Sequence, residues 1–243
     1  MIELRREDAF NKAQLLRLLI EIVDNKSLSQ SLYFKGGSCA ALLGYLNRFS
    51  VDLDFDLKSL KKEDQIRSEF QKIFKKLNLI VDKENPKVLE YLLKYRSGKN
   101  QRNSIKLNSL YQPFVNNTYT PQYIKEIDRI INCQTIETMF AHKMIALVDR
   151  FDKHKAIAGR DIYDIHYFFL HGYSYNRALI EERTGMKLKE FLENLIKFIE
   201  DRVTLTIINQ DLNTLLPDDK FEAVRKILIS ETLMFLRNEL EKI

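Results

Sequence analysis

The segment Val51-Asp52-Leu53-Asp54-Phe55-Asp56-Leu57 constrains this chain more than any other. Its alternation fits an extended strand, where successive side chains point to opposite faces. Asp52, Asp54 and Asp56 then share one face, and Val51, Leu53, Phe55 and Leu57 share the other. Asp is a poor strand former and neighbouring carboxylates repel, so a purely structural role requires a fully solvated face. Upstream, Phe34-Lys35-Gly36-Gly37-Ser38 supplies a second constraint. Two glycines let backbone N–H groups approach an anion, and Ser38 stands where an N-cap opens an apolar helix from Cys39 to Leu46. A phosphate cradle just before strand carboxylates predicts a triphosphate and a divalent metal meeting in one cleft. Gly-Gly-Ser by itself is also a common turn and helix cap.

Hard oxygen ligands suit Mg²⁺ or Mn²⁺. Asp52 and Asp54, two residues apart, are the expected metal ligands. A further two-residue step carries Asp56 about 6–7 Å along the strand, which makes it a weaker candidate ligand, with a hydrogen-bonding or solvated role as the alternative.

The chain has 243 residues, 45% hydrophobic and 30% charged, enough to build a core and inconsistent with disorder. Cys39 and Cys133 lie in apolar surroundings without ligand spacing and read as small buried hydrophobes. The start, Met1-Ile-Glu-Leu-Arg-Arg-Glu-Asp8, is charged and lacks a signal-peptide core, and no apolar run reaches membrane-spanning length. A soluble, cytoplasmic protein without a membrane partner is expected. Net charge is only +5, but Lys58 to Lys106 holds fourteen Lys and Arg against six Asp and Glu. That asymmetry fits a surface meeting RNA, with Lys72, Lys75, Lys76, Lys94 and Arg96 as guiding charges and Tyr91, Tyr95 and Tyr111 for stacking on bases. Solvated lysine-rich helix faces would give the same count.

Apolar periodicity predicts helices over about 8–24 and from Ile66 to Leu77, and strands near 78–83, 88–95 and 103–110. From Thr135, a helix cap, the pattern becomes helical: a helix through Met139, Lys143 and Leu147, another from Arg160 to Leu170, then 174–184, 187–201 and 221–241. The reading is an α/β (α+β) organisation, with a catalytic core over 1–130 and a helical domain over 131–243.

Lys143 interrupts an apolar helical stretch, and an ammonium on an inward face usually has a partner. Asp161 and Asp164, three residues apart, share one side of a helix and either can turn toward Lys143 or an acceptor hydroxyl. The other can pair with Arg160 or Arg150. His142, His154, His166 and His171 lack the spacing of a metal-ligand set.

Three segments carry a family resemblance. Lys35-Gly36-Gly37-Ser38, a short apolar helix and Arg48-Phe49-Ser50-Val51-Asp52-Leu53-Asp54-Phe55-Asp56 resemble the opening motif of the AbiEii/AbiGii toxin nucleotidyltransferases, members of the polymerase-beta-like superfamily. Glu137 through Lys143 to Arg150 is similar to the second block, and Gly159-Arg160-Asp161-Ile162-Tyr163-Asp164 to the third. The resemblance implies a polymerase-beta-like core with a mixed sheet and a C-terminal helical bundle that completes the active site. It implies a metal-dependent enzyme taking NTP, an RNA acceptor such as tRNA, and the toxin half of a bacterial toxin–antitoxin or phage abortive-infection pair, with an antitoxin partner. Gly36, Gly37, Ser38, Lys106 and Lys143 would contact the nucleotide; Asp52, Asp54, Lys143, Asp161 and Asp164 would be catalytic. Where many relatives of the superfamily carry a third strand carboxylate, this chain has Asn108, a neutral amide that cannot act as general base. The alternatives are a binding module with a degenerate site, or transfer to a protein or small molecule.

Overall fold

The Asp-rich segment is the central strand of a sheet. The computed structural model describes residues 8–99 and 101–243. These form two units: the described residues up to Pro113 with Tyr119–Gln134, and Phe114–Thr118 with Thr135–Ile243. The charged stretch before Asp8, read above as lacking a signal peptide, lies outside the described residues.

The first unit contains strands β1 (Leu32–Lys35), β2 (Asp52–Leu57), β3 (Ile80–Glu84), β4 (Leu89–Lys94), β5 (Ser104–Leu110), β6 (Tyr119–Ile124) and β7 (Arg129–Gln134). They form one mixed sheet in the order β3-β4-β5-β2-β1-β7-β6. β2 runs antiparallel to β1 and parallel to β5, while β1 runs parallel to β7. Phe34, Leu53, Phe55, Leu107 and Cys133 fall on one face and are buried. Helix α1 (Ala9–Asp24) packs on β2, β5 and β7 through Leu15, Leu18, Leu19 and Ile22. The short α2 (Lys26–Ser29) and α3 (Gly36–Leu42) flank β1. After a 3-10 turn at Leu60–Lys62, α4 (Glu63–Lys76) buries Ile66, Phe70, Ile73 and Phe74. Its acidic first turn and basic last turn complement the helix dipole.

Two expectations change here. Tyr91 and Tyr95 are core residues, 1% and 8% exposed, rather than stacking platforms. Tyr91 meets Phe70 and Phe74 edge-on, with ring centroids 5.9 and 5.1 Å away, because its position in β4 faces α4. The β6–β7 hairpin was not anticipated; it closes through Lys125–Asp128, with Asp128 at φ 53°. β7 pairs with both β1 and β6, so the units part after Gln134.

The second unit is helical: α5 (Ile136–His154), α6 (Gly159–Leu170), α7 (Arg177–Thr184), α8 (Leu188–Arg202), α9 (Leu205–Leu212), α10 (Asp218–Val224) and α11 (Leu228–Glu241). Thr135 caps α5 by accepting the Thr138 N–H. Residues 114–118 belong here because Glu182 accepts both the Val115 and Asn116 N–H groups, and Thr118 bonds Thr138. The single helix expected over 221–241 is two: a tight turn bonds the Ile227 N–H to the Val224 carbonyl three residues back and resets the axis. Among the described residues no helix is long and apolar enough to cross a membrane.

α6 crosses α9 at Gly159, where an added Cβ would lie 2.7 Å from the Ile207 carbonyl oxygen and 2.9 Å from the Ile208 Cα. Both are backbone atoms and cannot swing aside. Gly159→Ala is expected to lower unfolding stability by about 1–3 kcal/mol, read from urea denaturation midpoints. An unchanged midpoint would show that the α6–α9 crossing is loose.

Candidate active site

Gly36 and Asp54 define the corner of the first unit's polar face. Gly36 has φ 78°, a region open to glycine, and a Cβ there would sit 2.7 Å from Asp54 Oδ2. Backbone conformation and space therefore both exclude a side chain. At Gly37 a Cβ would meet Ser50 Oγ at 2.9 Å and the Arg48 guanidinium at 3.1 Å. The expected N-cap at Ser38 is corrected: α3 begins at Gly36 with Lys35 as its cap, which places Ser38 inside the first turn. The Ser38 hydroxyl donates to the Asp52 carbonyl instead and ties α3 to β2.

Register with β5 sets Lys106 opposite Asp52 and Asn108 opposite Asp54. Asn108 Nδ2 donates to Asp54 Oδ1 at 2.8 Å, so the amide orients that carboxylate. Lys106 Nζ pairs with Glu90 at 2.6 Å, and its hydrogen bond is the main cause holding Glu90 below the usual carboxylate range. Both partners are substantially exposed. Such a pair is worth about 0–1 kcal/mol, which leaves Lys106 able to turn to a stronger anion.

Asp56 belongs to a different arrangement. It is buried and accepts from Lys35 Nζ at 2.5 Å, Tyr119 Oη at 2.8 Å and Gln134 Nε2 at 3.0 Å. Tyr119 stacks on Tyr33 at 3.9 Å; burial, then the Asp56 charge, push its phenol pKa up and keep it a donor. This network holds β1, β2, β6 and β7 together and gives Asp56 the hydrogen-bonding role.

The side chains of Asp52 and Asp54 offer the hard oxygens that a small divalent cation takes. Among the described residues no three His, Cys, Asp or Glu side chains converge as a ligand set. Two carboxylates beside a glycine corner fit Mg²⁺, which commonly takes one or two protein carboxylates and completes its shell with phosphates and water.

In the second unit, α5 and α6 bring Lys143, Asp161 and Asp164 together. Lys143 Nζ lies 2.8 Å from Asp161 Oδ1 and 2.8 Å from Asp164 Oδ2, and Arg150 reaches Asp161 Oδ2 at 3.2 Å. Both carboxylates are fully buried, whereas Lys143 keeps 19% exposure. Burial, the largest influence, would raise the Asp161 pKa; the charges of Lys143 and Arg150, with the Lys143 hydrogen bond, outweigh it and hold the group below its ordinary 3.8. A carboxylate depressed in this way stabilises the fold above that value, a contribution lost as pH falls below 3.8 through the folded-state pKa. Both Asp161 and Asp164 thus meet Lys143, and Asp161 meets Arg150 as well.

Among the described residues three of the four histidines have partners, with His171 bonding the Tyr167 carbonyl. His142 sits between Asn117 and Arg183, and buried His166 meets Glu231 at 2.7 Å. Cys39 and Cys133 are buried and free, and burial pushes the Cys39 thiol well up, with Cys133 adding to the shift. Sequence reasoning missed the packing of Arg48 and Ser50 over Gly37 and the orienting role of Asn108. The first was signalled by the Arg48-Phe49-Ser50 segment preceding the strand, the second only by strand register.

The AbiEii family, described as nucleotidyl transferase AbiEii toxin of a type IV toxin–antitoxin system, matches residues 17–227. No curated protein matches the chain. Among solved structures, a candidate nucleotidyltransferase of Helicobacter pylori is similar over 98% of both chains, with TM-score 0.62 and 19% identity. JHP933 from the same organism covers 99% of this chain and 96% of its own, with TM-score 0.59 and 18% identity. The MenT4 nucleotidyltransferase toxin of Mycobacterium tuberculosis covers 96% and 86%, with TM-score 0.54 and 15% identity. At these identities the likeness speaks for the fold, the expected nucleotidyltransferase core with its mixed sheet. With the family match spanning most of its length, the chain belongs to the AbiEii family of nucleotidyl transferase toxins of type IV toxin–antitoxin systems.

Proposed function

We propose that this protein transfers NMP from an NTP to an RNA acceptor, with Asp52 and Asp54 holding a divalent cation, Mg²⁺ by preference, and with a cognate antitoxin as its partner. The observation that carries the reading is the Asp54 carboxylate set against the Gly36 corner, where no side chain fits and an anion can reach backbone N–H groups. A cation held there neutralises charge on the phosphates and on the pyrophosphate that leaves. Asn108 keeps Asp54 turned toward that position by its 2.8 Å hydrogen bond. Ser38 fixes the first turn of α3 to β2, so the backbone lining the anion position is held rigidly. Lys106 stands opposite Asp52 in register and can leave Glu90 for a phosphate. In the second unit Lys143 is the phosphate-binding group, with Asp161 and Asp164 holding its Nζ. The acceptor reading rests on the basic Lys58–Lys106 segment.

Incubating the protein with each labelled NTP, Mg²⁺ and total RNA tests the whole reaction. Label is expected in RNA; label in protein or a small molecule instead would overturn the acceptor while keeping the chemistry.

Calorimetry with NTP is expected to show binding that depends on Mg²⁺ and is weakened in Asp54→Asn, whose melting temperature stays close to wild type. Equal affinity with and without the ion, in both proteins, would remove the metal reading.

Lys143→Ala deprives two buried carboxylates of their shared cation, so it should cost about 3–5 kcal/mol of stability as well as transfer. The double variant Lys143→Met with Asp164→Asn removes one charge of each sign and leaves Asp161 with Arg150. If that protein folds and transfers at the wild-type rate, Lys143 is an ion-pair residue and not a phosphate ligand.

A further inference from the structure

Three cations from separate elements of the first unit border one recess of about 720 Å³: Arg17 of α1, Lys75 in the last turn of α4, and Arg96 just beyond β4. The buried Leu79 and Tyr95 form its floor, and Ile80, 63% exposed, flanks it on edge strand β3. Among the described residues no Asp or Glu lines it. Arg17 donates to the neutral Gln14 at 3.0 Å, and none of the three has a carboxylate partner among the described residues. The neighbouring lysines differ: Lys72 pairs with Glu69 at 2.7 Å, Lys76 with Glu21 at 2.6 Å and Lys94 with Asp82 at 2.8 Å. Among the described residues six of the fourteen cations counted in this stretch thus meet a carboxylate, and of those that do not, Lys75 and Arg96 join Arg17 around one hollow.

We propose that this recess docks backbone phosphates of the acceptor RNA, a second contact separate from the Gly36–Asp54 corner. It lies on the helix-covered side of the sheet, since Tyr95 continues the buried Tyr91–Leu93 face of β4. Arg17 and Arg96 present planar donors suited to phosphate oxygens, and Lys75 adds a point charge. An NTP or pyrophosphate offers the same chemistry, but the recess lacks the carboxylates that a metal-bound triphosphate uses. Spaced, exposed cations suit successive phosphates along a chain. The apolar flank from Leu77 to Ile80 can take a sugar or base edge. The inference rests on the RNA-acceptor reading and adds where that RNA is held.

The test compares two triple variants of the full chain by fluorescence anisotropy with labelled tRNA across a salt series. One is Arg17→Ala, Lys75→Ala, Arg96→Ala; the other is Lys72→Ala, Lys76→Ala, Lys94→Ala, which removes the same number of charges from paired positions. At about 0.1 M salt the first is expected to bind RNA on the order of 10-fold more weakly, with the slope of log Kobs against log salt shallower by about 2. The second should change both far less. Each should keep the wild-type melting temperature, since all six side chains sit at the surface, and NTP and pyrophosphate calorimetry should be unchanged. Equal losses in the two variants, or intact RNA binding in the first, would overturn the recess while leaving the RNA reading in place. Loss of NTP or pyrophosphate affinity in the first would reassign the recess to the nucleotide. A wild-type protein that binds no RNA at any salt would sink the acceptor reading and the recess together.

Discussion

Leu53 and Phe55 are buried on one side of β2, and because strand side chains alternate, Asp52 and Asp54 are held on the other. Burying each apolar side chain contributes about 1.5–3 kcal/mol. A one-residue slip would forfeit that and drive three carboxylates into the core. The acidic face is thus enforced from behind, by packing rather than by any attraction among the acids. Further constraints act on the same strand. Gly36 leaves room for Asp54, Asn108 turns it, and Ser38 bonds the Asp52 carbonyl. Asp56, one step further along, is neutralised by Lys35, Tyr119 and Gln134. Of three carboxylates drawn by the same alternation, packing divides two from the third.

The second unit solves a different electrostatic problem. Two fully buried carboxylates cost several kcal/mol each unless a cation meets them, and Lys143 meets both while Arg150 shares Asp161. The lysine is positioned by its partners and cannot sample other rotamers without uncovering buried charge. Under the proposed phosphate role, an anion reaches Lys143 through its remaining exposure without dismantling the cluster. A lysine held between two carboxylates is oriented before any ligand arrives, so less side-chain entropy is lost on binding. The energy invested in burying Asp161 and Asp164 is what makes Lys143 stiff.

Periodicity made α1, α4 and the strands β2, β4 and β5 legible, because each has a one-sided apolar pattern that survives in the fold. The β6–β7 hairpin escaped because β6 is mostly exposed and because in β7 the exposed Ile130 beside the buried Ile131 blurs the alternation. α9 escaped for its brevity, and the division of α10 from α11 because a three-residue turn leaves the helical period nearly in step. Ser38 misled because Ser before an apolar helix is a good cap signal, and only the coordinates reveal that the helix starts earlier, on a glycine. The carboxylates and Lys143 were legible as unusual residues in apolar patterns. Arg150 was legible too, as one of two arginines that could pair with Asp161 or Asp164, whereas the Asn108 bond to Asp54 arises only through strand register.

Charge shows most plainly what composition leaves out. Fourteen cations against six acids between Lys58 and Lys106 suggest a uniformly positive surface. In the fold, Arg67 reaches Glu63 and Glu84, Lys72, Lys76, Lys94 and Lys106 each meet a carboxylate, and Arg102 meets Asp8. Two of those acids, Glu21 and Asp8, lie outside the stretch altogether, so a window count overstates the field. Arg17 lies outside it too, yet adds to the positive side. An ion pair presents a dipole whose potential falls off faster than that of a lone charge, and salt screens both beyond about 10 Å. What a polyanion meets at close range is therefore set by the cations left unpaired, and which these are depends on the packing that brings acids to the others rather than on the order of residues along the chain.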